Sequence, residues 1–299
     1  MNIHSLIDHI SIKGTEVLVI NNKIFSKGIE SPSYVEQLQN IRLNIPVIDG
    51  EGTYEVEAET AAGAMDPAFL IHQWKGAEYP SIIYHHGNLE RPFNFHWYMK
   101  NTFRDIFTSY KKPIEANLIA IRAPYHRGSI LKYAKRIGYL TNFIAMLSVS
   151  AKLIDFLVDY LKASGKGQVI VSGVSLGGLA ANLHRTYFNT ADVYIPLCAG
   201  ASLGDVFLTS AYKKVAKIVH DNRDTVYEVL DFEMDFKKNK SDNVFPLLAR
   251  FDQLFRYERQ MESYNGHPVT VLDKGHWTGS LSSKQLRQHI FTYVNLKND

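Results

Sequence analysis

Residues 168–181 read QVIVSGVSLGGLAA, and this stretch decides the fold. Its apolar start, Gln168–Val171, is typical of a buried strand, and Gly178–Ala181 is typical of a helix start. Between them, Gly173–Gly177 places a serine between two glycines. A sharp turn from strand to helix holds such a serine exposed in a strained conformation, and the flanking glycines leave room for it. The pattern therefore predicts that Ser175 is a nucleophile.

The composition is that of an ordinary soluble globular protein. The chain has 299 residues, of which 45% are hydrophobic and 21% are charged. This length is enough for one large core, or for a core with a small accessory domain. The formal net charge of +3 is small for the length, so it indicates no field that would recruit nucleic acid. We therefore expect no nucleic-acid partner.

Cysteine content and hydropathy indicate the compartment. Cys198 is the only cysteine, so the chain cannot form an internal structural disulfide. Residues 1–14 lack the basic start, long apolar core and small-residue cleavage site of a signal peptide. The most apolar long stretch, Tyr139–Leu161, contains a lysine and two aspartates, which indicates an amphipathic or buried helix and not a membrane span. We expect a cytoplasmic protein without stable membrane insertion.

Strand-like and helix-like segments alternate in the middle of the chain. The alternation predicts βαβ units and a mainly parallel sheet, preceded by strands of antiparallel character. Long helices are predicted over Tyr139–Leu161 and, at the end, over Ser283–Val294. The strand-like segments are Thr53–Thr60, Phe69–Trp74, Ser81–Tyr84, Asn117–Ile121, Gln168–Val171, Val193–Leu197, Val244–Ala249 and Pro268–Leu272.

These segments set the predicted domain organisation. Residues 1–50 give mixed signals, with one short helical pattern over Ser33–Asn40, and we interpret them as an N-terminal extension. Residues 51–199 and 244–299 form the predicted α/β core. Residues 200–243 are helical in pattern and rich in lysine, aspartate and aromatic residues. They predict a helical cap inserted over the ligand-binding edge of the sheet.

A serine nucleophile needs a base, an acid that orients the base, and donors for the developing oxyanion. His276 is the best candidate for the base, because it follows the last predicted strand in a Gly-His-Trp sequence. Asp252 is the best candidate for the acid, because it comes just after the preceding strand. The chain order Ser175, Asp252, His276 is one of the known orders of a catalytic triad.

Three other aspartates remain open as the acid. Asp242 lies just before a predicted strand and not after it. Asp273 lies very close to His276 in the same loop, and Asp205 follows an earlier strand and would need a less common geometry. Asp252 is preferred on its position alone.

Several motifs together resemble the α/β-hydrolase fold superfamily. They are the serine turn Gly173–Gly177, the His86–Asn88 turn, Asp252, and the Gly275–His276 dipeptide. The resemblance spans residues 53–294, and its motifs are specific for the superfamily but not for a substrate. It implies an α/β fold, a three-layer α/β/α sandwich with a mainly parallel sheet and a helical cap.

The resemblance also implies a role for each site residue. Ser175 would be the nucleophile, His276 the general base and acid, and Asp252 the group that orients and stabilises the imidazolium. The backbone N–H groups of Leu176 and Asn88 would form the oxyanion hole, where each donor typically contributes about 3–4 kcal/mol. No cofactor and no metal ion is implied.

These residues predict a serine hydrolase that cleaves a carboxylic ester of a small acyl substrate. The same triad also allows an amidase, a peptidase or an acyltransferase, because all of them share the acyl-enzyme. A different class remains open as well: a non-catalytic ligand-binding protein on a hydrolase scaffold. The oligomeric state is not indicated by the sequence.

Other motifs have a structural interpretation. His85 and His86 are neighbours on a strand, where side chains alternate between faces, so we expect no shared metal ion. Ala163–Gly167 resembles a phosphate loop but precedes its strand. The basic run Lys213–Lys217 predicts a solvated helix face, or else attraction to an anionic substrate or membrane surface. The aromatic residues of Phe93–Tyr98 are split between core and acyl pocket.

Overall fold

The computed structural model describes residues 2–109, 113–218 and 222–294. Two sheets are found in this part of the chain. Their strands are β1 (Arg42–Asn44), β2 (Gly52–Glu55), β3 (Glu57–Thr60), β4 (Gly63–Met65), β5 (Ala68–Gln73), β6 (Ser81–His85), β7 (Asn117–Arg122), β8 (Val169–Val174), β9 (Val193–Leu197), β10 (Leu247–Ala249) and β11 (Thr270–Leu272).

The large sheet is mixed but mostly parallel. Its eight strands lie in the order β11-β10-β9-β8-β6-β7-β5-β2. The six strands from β11 to β7 run parallel to one another, whereas β5 and β2 are antiparallel to their neighbours. Strands β1, β3 and β4 form a separate antiparallel sheet. The carboxyl ends of the parallel strands therefore share one edge, which is where ligands bind in open sheets of this kind.

Helices precede, connect and follow the strands. They are α1 (Ile3–Leu18), α2 (Tyr34–Asn40), α3 (Ile130–Arg136), α4 (Leu140–Ser164), α5 (Leu176–Tyr187), α6 (Leu203–Leu208), α7 (Arg223–Leu230), α8 (Glu233–Lys238), α9 (Tyr257–Ser263), α10 (His276–Ser280) and α11 (Ser283–Thr292). A π-helical turn covers Arg104–Thr108, and a 3₁₀ turn covers Ala211–Lys214. Within the described residues, no helix combines the length and the apolar character that crossing a bilayer requires.

The two faces of the large sheet carry different helices. Along β6 the side chains alternate, so that Ile83 packs in the same core as the apolar residues of α4 and α5. Its neighbours Ile82 and Tyr84 pack on the other face, with the π-helical turn and α11. Both faces are covered, as the continuous apolar sequences of parallel strands require. The predicted three-layer α/β/α sandwich with a mainly parallel sheet is confirmed.

One predicted strand was wrong. The segment Thr53–Thr60 is two strands in two different sheets, because β2 pairs with β5 whereas β3 pairs with β1 and β4. The chain changes sheets at Val56, whose N–H donates to the carbonyl oxygen of Pro67. Alternation of polar and apolar residues continues through the change, so the sequence pattern does not reveal it.

The predicted domain division remains a prediction, but its segments can be described. Residues 200–243 contain α6, the 3₁₀ turn, α7 and α8 in their described part. Residues 2–50 contain α1 and α2, and α1 packs against α10 at the other end of the chain. The segment interpreted as an extension therefore contacts the His276 loop, by which we mean residues 273–275 and the start of α10 at His276.

Candidate active site

The turn between β8 and α5 is strained. Ser175 has a φ of +55° and a ψ of −110°, a combination that costs a residue with a side chain about 1–3 kcal/mol. A Cβ atom at Gly177 would lie 2.0 Å from the carbonyl oxygen of His85, and one at Gly173 would lie 2.7 Å from it. Both positions therefore require glycine. The Ser175 N–H donates to the carbonyl oxygen of Leu197 at 2.8 Å, which fixes the turn at the carboxyl edge of the sheet.

The structure brings Ser175, His276 and Asp252 together. The Ser175 hydroxyl oxygen lies 2.9 Å from His276 Nε2, and His276 Nδ1 lies 2.7 Å from Asp252 Oδ2. With the ring proton on Nδ1, the carboxylate accepts a hydrogen bond from Nδ1–H, and the lone pair of Nε2 faces the serine hydroxyl. His276 is 6% exposed and Asp252 is 3% exposed, so the pair is shielded from bulk water.

The Asp252 carboxylate is held by its own loop. Its Oδ1 accepts hydrogen bonds from the N–H groups of Leu254 at 2.7 Å and Phe255 at 2.8 Å. The Phe255 ring stacks on the imidazole of His276, with ring centroids 5.4 Å apart. Burial raises the pKa of Asp252, and the attraction to His276 opposes that rise. One carboxylate oxygen is therefore used for anchoring, and the other faces the imidazole.

The three other candidate acids have different partners. Asp273 bonds an arginine at the surface. Asp205 pairs with Arg256 and bonds Thr209. Asp242 is exposed and comes before β10. Among the described residues, the carboxylate that bonds the His276 ring is that of Asp252.

Leu176 and Asn88, the two predicted oxyanion-hole residues, line the same cavity as Ser175 and His276. Leu176 is the first residue of α5, where a backbone N–H precedes the first intrahelical hydrogen bond. Within the described residues, neither N–H donates to another group. The Asn88 side chain accepts a hydrogen bond from the N–H of Leu89 at 3.0 Å, which shapes the turn after β6. Both N–H groups are therefore available to a ligand oxygen.

A cavity of about 70 Å³ lies beside Ser175. Apolar side chains from three helices form much of its wall: Ile12 of α1, Phe143 of α4, and Leu203, Val206 and Phe207 of α6. The residues of Phe93–Tyr98 do not line it. Phe93 and Phe95 pack against the core on the other face of the sheet, and Trp97 is 87% exposed. The acyl-pocket interpretation of that cluster was wrong.

Comparisons with known proteins yield structural neighbours. No family model matches the sequence, and no curated protein matches it. The structure is similar to acetyl xylan esterase 1 from Thermoanaerobacterium sp. JW/SL YS485, with a TM-score of 0.55 and 14% identity over 86% of this chain and 90% of that one. It is also similar to an acetyl xylan esterase from Paenibacillus sp. R4, with a TM-score of 0.50 and 14% identity over 96% and 94% of the chains.

A third neighbour is the acylaminoacyl peptidase of Pyrococcus horikoshii, with a TM-score of 0.55 and 14% identity over 84% of this chain and 43% of that one. The chain therefore spans less than half of that peptidase. All three neighbours share one architecture. The chain has the α/β-hydrolase fold. At this level of identity the likeness shows the fold and nothing finer.

An ion pair between a buried glutamate and a half-buried lysine forms part of the wall of the cavity in this α/β-hydrolase fold. Lys100 Nζ lies 3.9 Å from Glu90 Oε1 and 4.3 Å from the centre of the Trp277 ring. Glu90 Oε2 accepts hydrogen bonds from the N–H and the hydroxyl of Thr102, both at 2.8 Å. Burial raises the pKa of Glu90 and lowers the pKa of Lys100. The cavity is thus apolar with one polar end.

Sequence reasoning missed the contribution of α1 to the site. Ile12 and Thr15 of this helix line the cavity, and Asp8 bonds the backbone of the His276 loop. Most apolar side chains of Ile3–Leu18 lie on one face of the helix, and that face is largely exposed, so the apolar pattern indicates the wrong side of the helix as the inward face. The signal that the sequence did offer was Asp8, the one aspartate of this helix.

His85 and His86 do not point to opposite faces, so the reason given for expecting no shared metal ion was wrong. His86 lies beyond the end of β6, where strand alternation no longer applies, and the two rings stack with centroids 4.9 Å apart. His85 Nε2 lies 3.1 Å from the Ser150 hydroxyl, and His86 Nε2 accepts from the N–H of Ala123 at 3.0 Å. Among the described residues, no three ligand-type side chains are arranged to hold a metal ion.

Proposed function

We propose that this protein is a serine hydrolase that cleaves a carboxylic ester through an acyl-enzyme on Ser175. The observation that carries the proposal is the continuous chain of hydrogen bonds from Asp252 through His276 to the Ser175 hydroxyl, at 2.7 and 2.9 Å. A strained serine at a strand-to-helix turn, facing a buried imidazole, is the arrangement that activates a hydroxyl as a nucleophile.

The acylation step moves one proton out of the hydroxyl and into the leaving group. His276 Nε2 takes the proton of Ser175 as the serine oxygen bonds to the carbonyl carbon. The imidazolium then gives that proton to the alcohol oxygen as the ester C–O bond breaks. Asp252 stays ionised and stabilises the imidazolium.

Deacylation repeats the sequence with water. Water gives a proton to His276 and bonds to the acyl carbon, and the proton returns to Ser175 as the acyl-enzyme bond breaks. The N–H groups of Leu176 and Asn88 would donate to the oxyanion in both steps, each contributing about 3–4 kcal/mol. These steps need no cofactor and no metal ion.

The cavity supports a substrate with a small apolar acyl group. Its volume is about 70 Å³ and its walls are mainly aliphatic and aromatic. Because α6 supplies three of those walls, we assign residues 200–243 the role of a cap that shapes the pocket. Two structural neighbours are named acetyl xylan esterases, which is consistent with short-chain esters.

Substitution of Ser175 tests the proposal. We expect Ser175→Ala to lower kcat/KM for p-nitrophenyl acetate by at least about a thousandfold, and to abolish labelling by a fluorophosphonate probe. Ser164→Ala is the matched control, because that hydroxyl bonds the Tyr160 carbonyl oxygen at the exposed end of α4. The Ser164→Ala variant should hydrolyse p-nitrophenyl acetate and be labelled by the probe at the wild-type rates.

Three outcomes would overturn the ester assignment. Full esterase activity in Ser175→Ala would place the chemistry elsewhere. Cleavage of aminoacyl amides with failure on every ester would indicate a peptidase. An unlabelled wild-type protein without turnover on any ester or amide would indicate a binding protein on a hydrolase scaffold.

A further inference from the structure

Asp8 joins the first helix of the chain to the two loops that carry His276 and Asp252. Its side chain is completely buried. Oδ2 accepts hydrogen bonds from the N–H of His276 at 2.7 Å and from the N–H of Gln253 at 3.1 Å, and Oδ1 accepts from the N–H of Trp277 at 3.0 Å. The carboxylate of Asp8 therefore binds the backbone of Gln253, which follows the candidate acid, and the backbone of His276, the candidate base.

The close approach of α1 to these loops depends on a glycine. A Cβ atom at Gly275 would lie 2.8 Å from Asp8 Oδ2 and 2.8 Å from the carbonyl oxygen of His4. His4 Nδ1 also lies 3.0 Å from the Thr278 hydroxyl. The glycine before the candidate base thus makes room for α1, which gives the Gly-His dipeptide a role beyond the turn itself.

We propose that Asp8 is a positioning residue, which fixes the His276 loop against the Asp252 loop so that the imidazole lies between carboxylate and hydroxyl. This inference rests on the proposed serine hydrolase function. Catalytic groups need their geometry held within a fraction of an ångström, and a misplacement of about 1 Å can cost a hundredfold in rate. Backbone hydrogen bonds to a buried carboxylate are strong enough to hold it.

The charge of Asp8 argues for this specific role. Burial raises the pKa of Asp252, and the negative charge of Asp8 raises it further. Two carboxylates this close repel each other, which is a cost that a neutral capping side chain would avoid. A carboxylate offers two oxygens to three N–H donors, and a neutral amide cannot do so.

The test compares Asp8→Asn with a matched control on the same helix. Both Asp8 oxygens accept from N–H groups, so the NH₂ group of an asparagine must face a donor and push one loop away. We expect kcat and the rate of fluorophosphonate labelling of Ser175 to fall between tenfold and a hundredfold, with KM changed less than about twofold. Glu16→Gln removes a charge from α1 beside Lys13 and Lys23 and should change neither quantity.

A proton spectrum separates positioning from a general loss of stability. The proton between His276 Nδ1 and Asp252 should resonate far downfield in the wild type, and the signal should broaden or disappear in Asp8→Asn protein that urea titration shows to be folded. Gly275→Ala disturbs the contact between Asp8 and the His276 loop from the loop's side, because the added methyl group displaces α1. We expect it to lower the labelling rate in the same range.

The outcomes distinguish this inference from the proposed function. A folded Asp8→Asn variant with the wild-type labelling rate and the wild-type downfield signal would overturn the positioning role. A wild-type protein that is neither labelled nor active would overturn the hydrolase assignment. In that case the downfield signal, which needs no turnover, still decides whether Asp8 orients His276.

Discussion

His276 is held in place by contacts from three other parts of the chain. Asp252 bonds Nδ1, the Ser175 hydroxyl lies at Nε2, and the Phe255 ring stacks on one face. Asp8 holds the backbone N–H of the same residue. These contacts hold Nδ1 toward the carboxylate and Nε2 toward the hydroxyl, which in the proposed mechanism corresponds to the tautomer with its proton on Nδ1 and its basic nitrogen facing the hydroxyl.

A single amide substitution at Asp252 should reverse that tautomer. The N–H groups of Leu254 and Phe255 require an acceptor at the Oδ1 position, so Asp252→Asn places its NH₂ group against His276 Nδ1. That nitrogen then accepts, the ring proton moves to Nε2, and the base is lost. We expect kcat to fall by about 10⁴-fold, measured by steady-state ester hydrolysis.

The control for this change is Asp273→Asn. Asp273 was an alternative acid, and it is an exposed residue paired with Arg250, so its variant should keep wild-type kcat. A loss of less than tenfold in Asp252→Asn, or a large loss in Asp273→Asn, would assign the acid differently.

Among the elements, α6 decides the shape of the cavity. Its Phe207 is 4% exposed and packs edge-on against Phe25 and Phe143, with ring centroids 5.0 and 5.4 Å away. Phe143 and Phe207 line the cavity, and Phe25 packs against both rings without lining it. A side chain in this position limits the length of an acyl chain that the pocket accepts.

Phe207→Ala should therefore shift the substrate preference toward longer chains. The wild type should lose kcat/KM as p-nitrophenyl esters lengthen from acetate to hexanoate, and the variant should show the opposite trend, with a stability loss of about 3–5 kcal/mol. Phe245→Ala is the control, because that ring stacks on Tyr293 at 4.0 Å on the other face of the sheet. An unchanged chain-length profile in Phe207→Ala would remove α6 from the acyl pocket.

Across the whole molecule, three buried histidines couple folding to pH. His85, His86 and His126 lie at the end of β6 and in the loop after β7, with His86 and His126 ring centroids 4.6 Å apart. Burial lowers the pKa of His85 and of His126 to about 4, and it lowers the pKa of His86 well below its usual value. The folded chain thus keeps these rings neutral at pH values where the unfolded chain protonates them.

Stability should accordingly fall as the pH drops below about 6.5. The unfolded chain binds protons on these histidines near that pH and the folded chain binds them only near pH 4. Each of His85 and His126 then lowers the free energy of unfolding by roughly 3 kcal/mol as the pH falls from about 6.5 to about 4. Urea midpoints at about pH 7.5 and about pH 5.5 measure the effect.

Two variants assign the effect to the buried rings. His126→Gln should reduce the pH dependence of the urea midpoint, because one buried ring is removed. His9→Gln, on the exposed side of α1, should leave it unchanged. A midpoint that is the same at both pH values in the wild type would contradict the coupling.

The sequence was most informative where the sheet is parallel and buried. The strand predicted over Val193–Leu197 has those bounds in the structure, because a strand covered on both faces is a continuous apolar run between polar ends. The sequence also predicted that Ser175, Asp252 and His276 would meet. That prediction used the Gly-x-Ser-x-Gly turn and the positions of the other two residues after β10 and β11. In a parallel sheet, consecutive strand ends meet at one edge.

The rest of the site depends on contacts between distant residues. Asp8 and Gln253 are 245 residues apart, so no local pattern indicates their hydrogen bond. The same holds for the change of sheet at Val56, which is set by the partners of β2 and β3 and not by their own residues. Local sequence specifies elements, whereas tertiary pairing specifies which of them meet.

The hydrogen bond between Asp8 and the His276 N–H has a consequence for biosynthesis. The helix that carries Asp8 is synthesised before its binding site, which consists of segments that emerge from the ribosome 245 to 268 residues later. Domains generally fold from the N-terminal side during synthesis, so the contacts of α1 with these segments stay unsatisfied until the segments have emerged. Truncated products that lack these segments cannot bind this helix, and the proposed active site is completed only when α1 has met them.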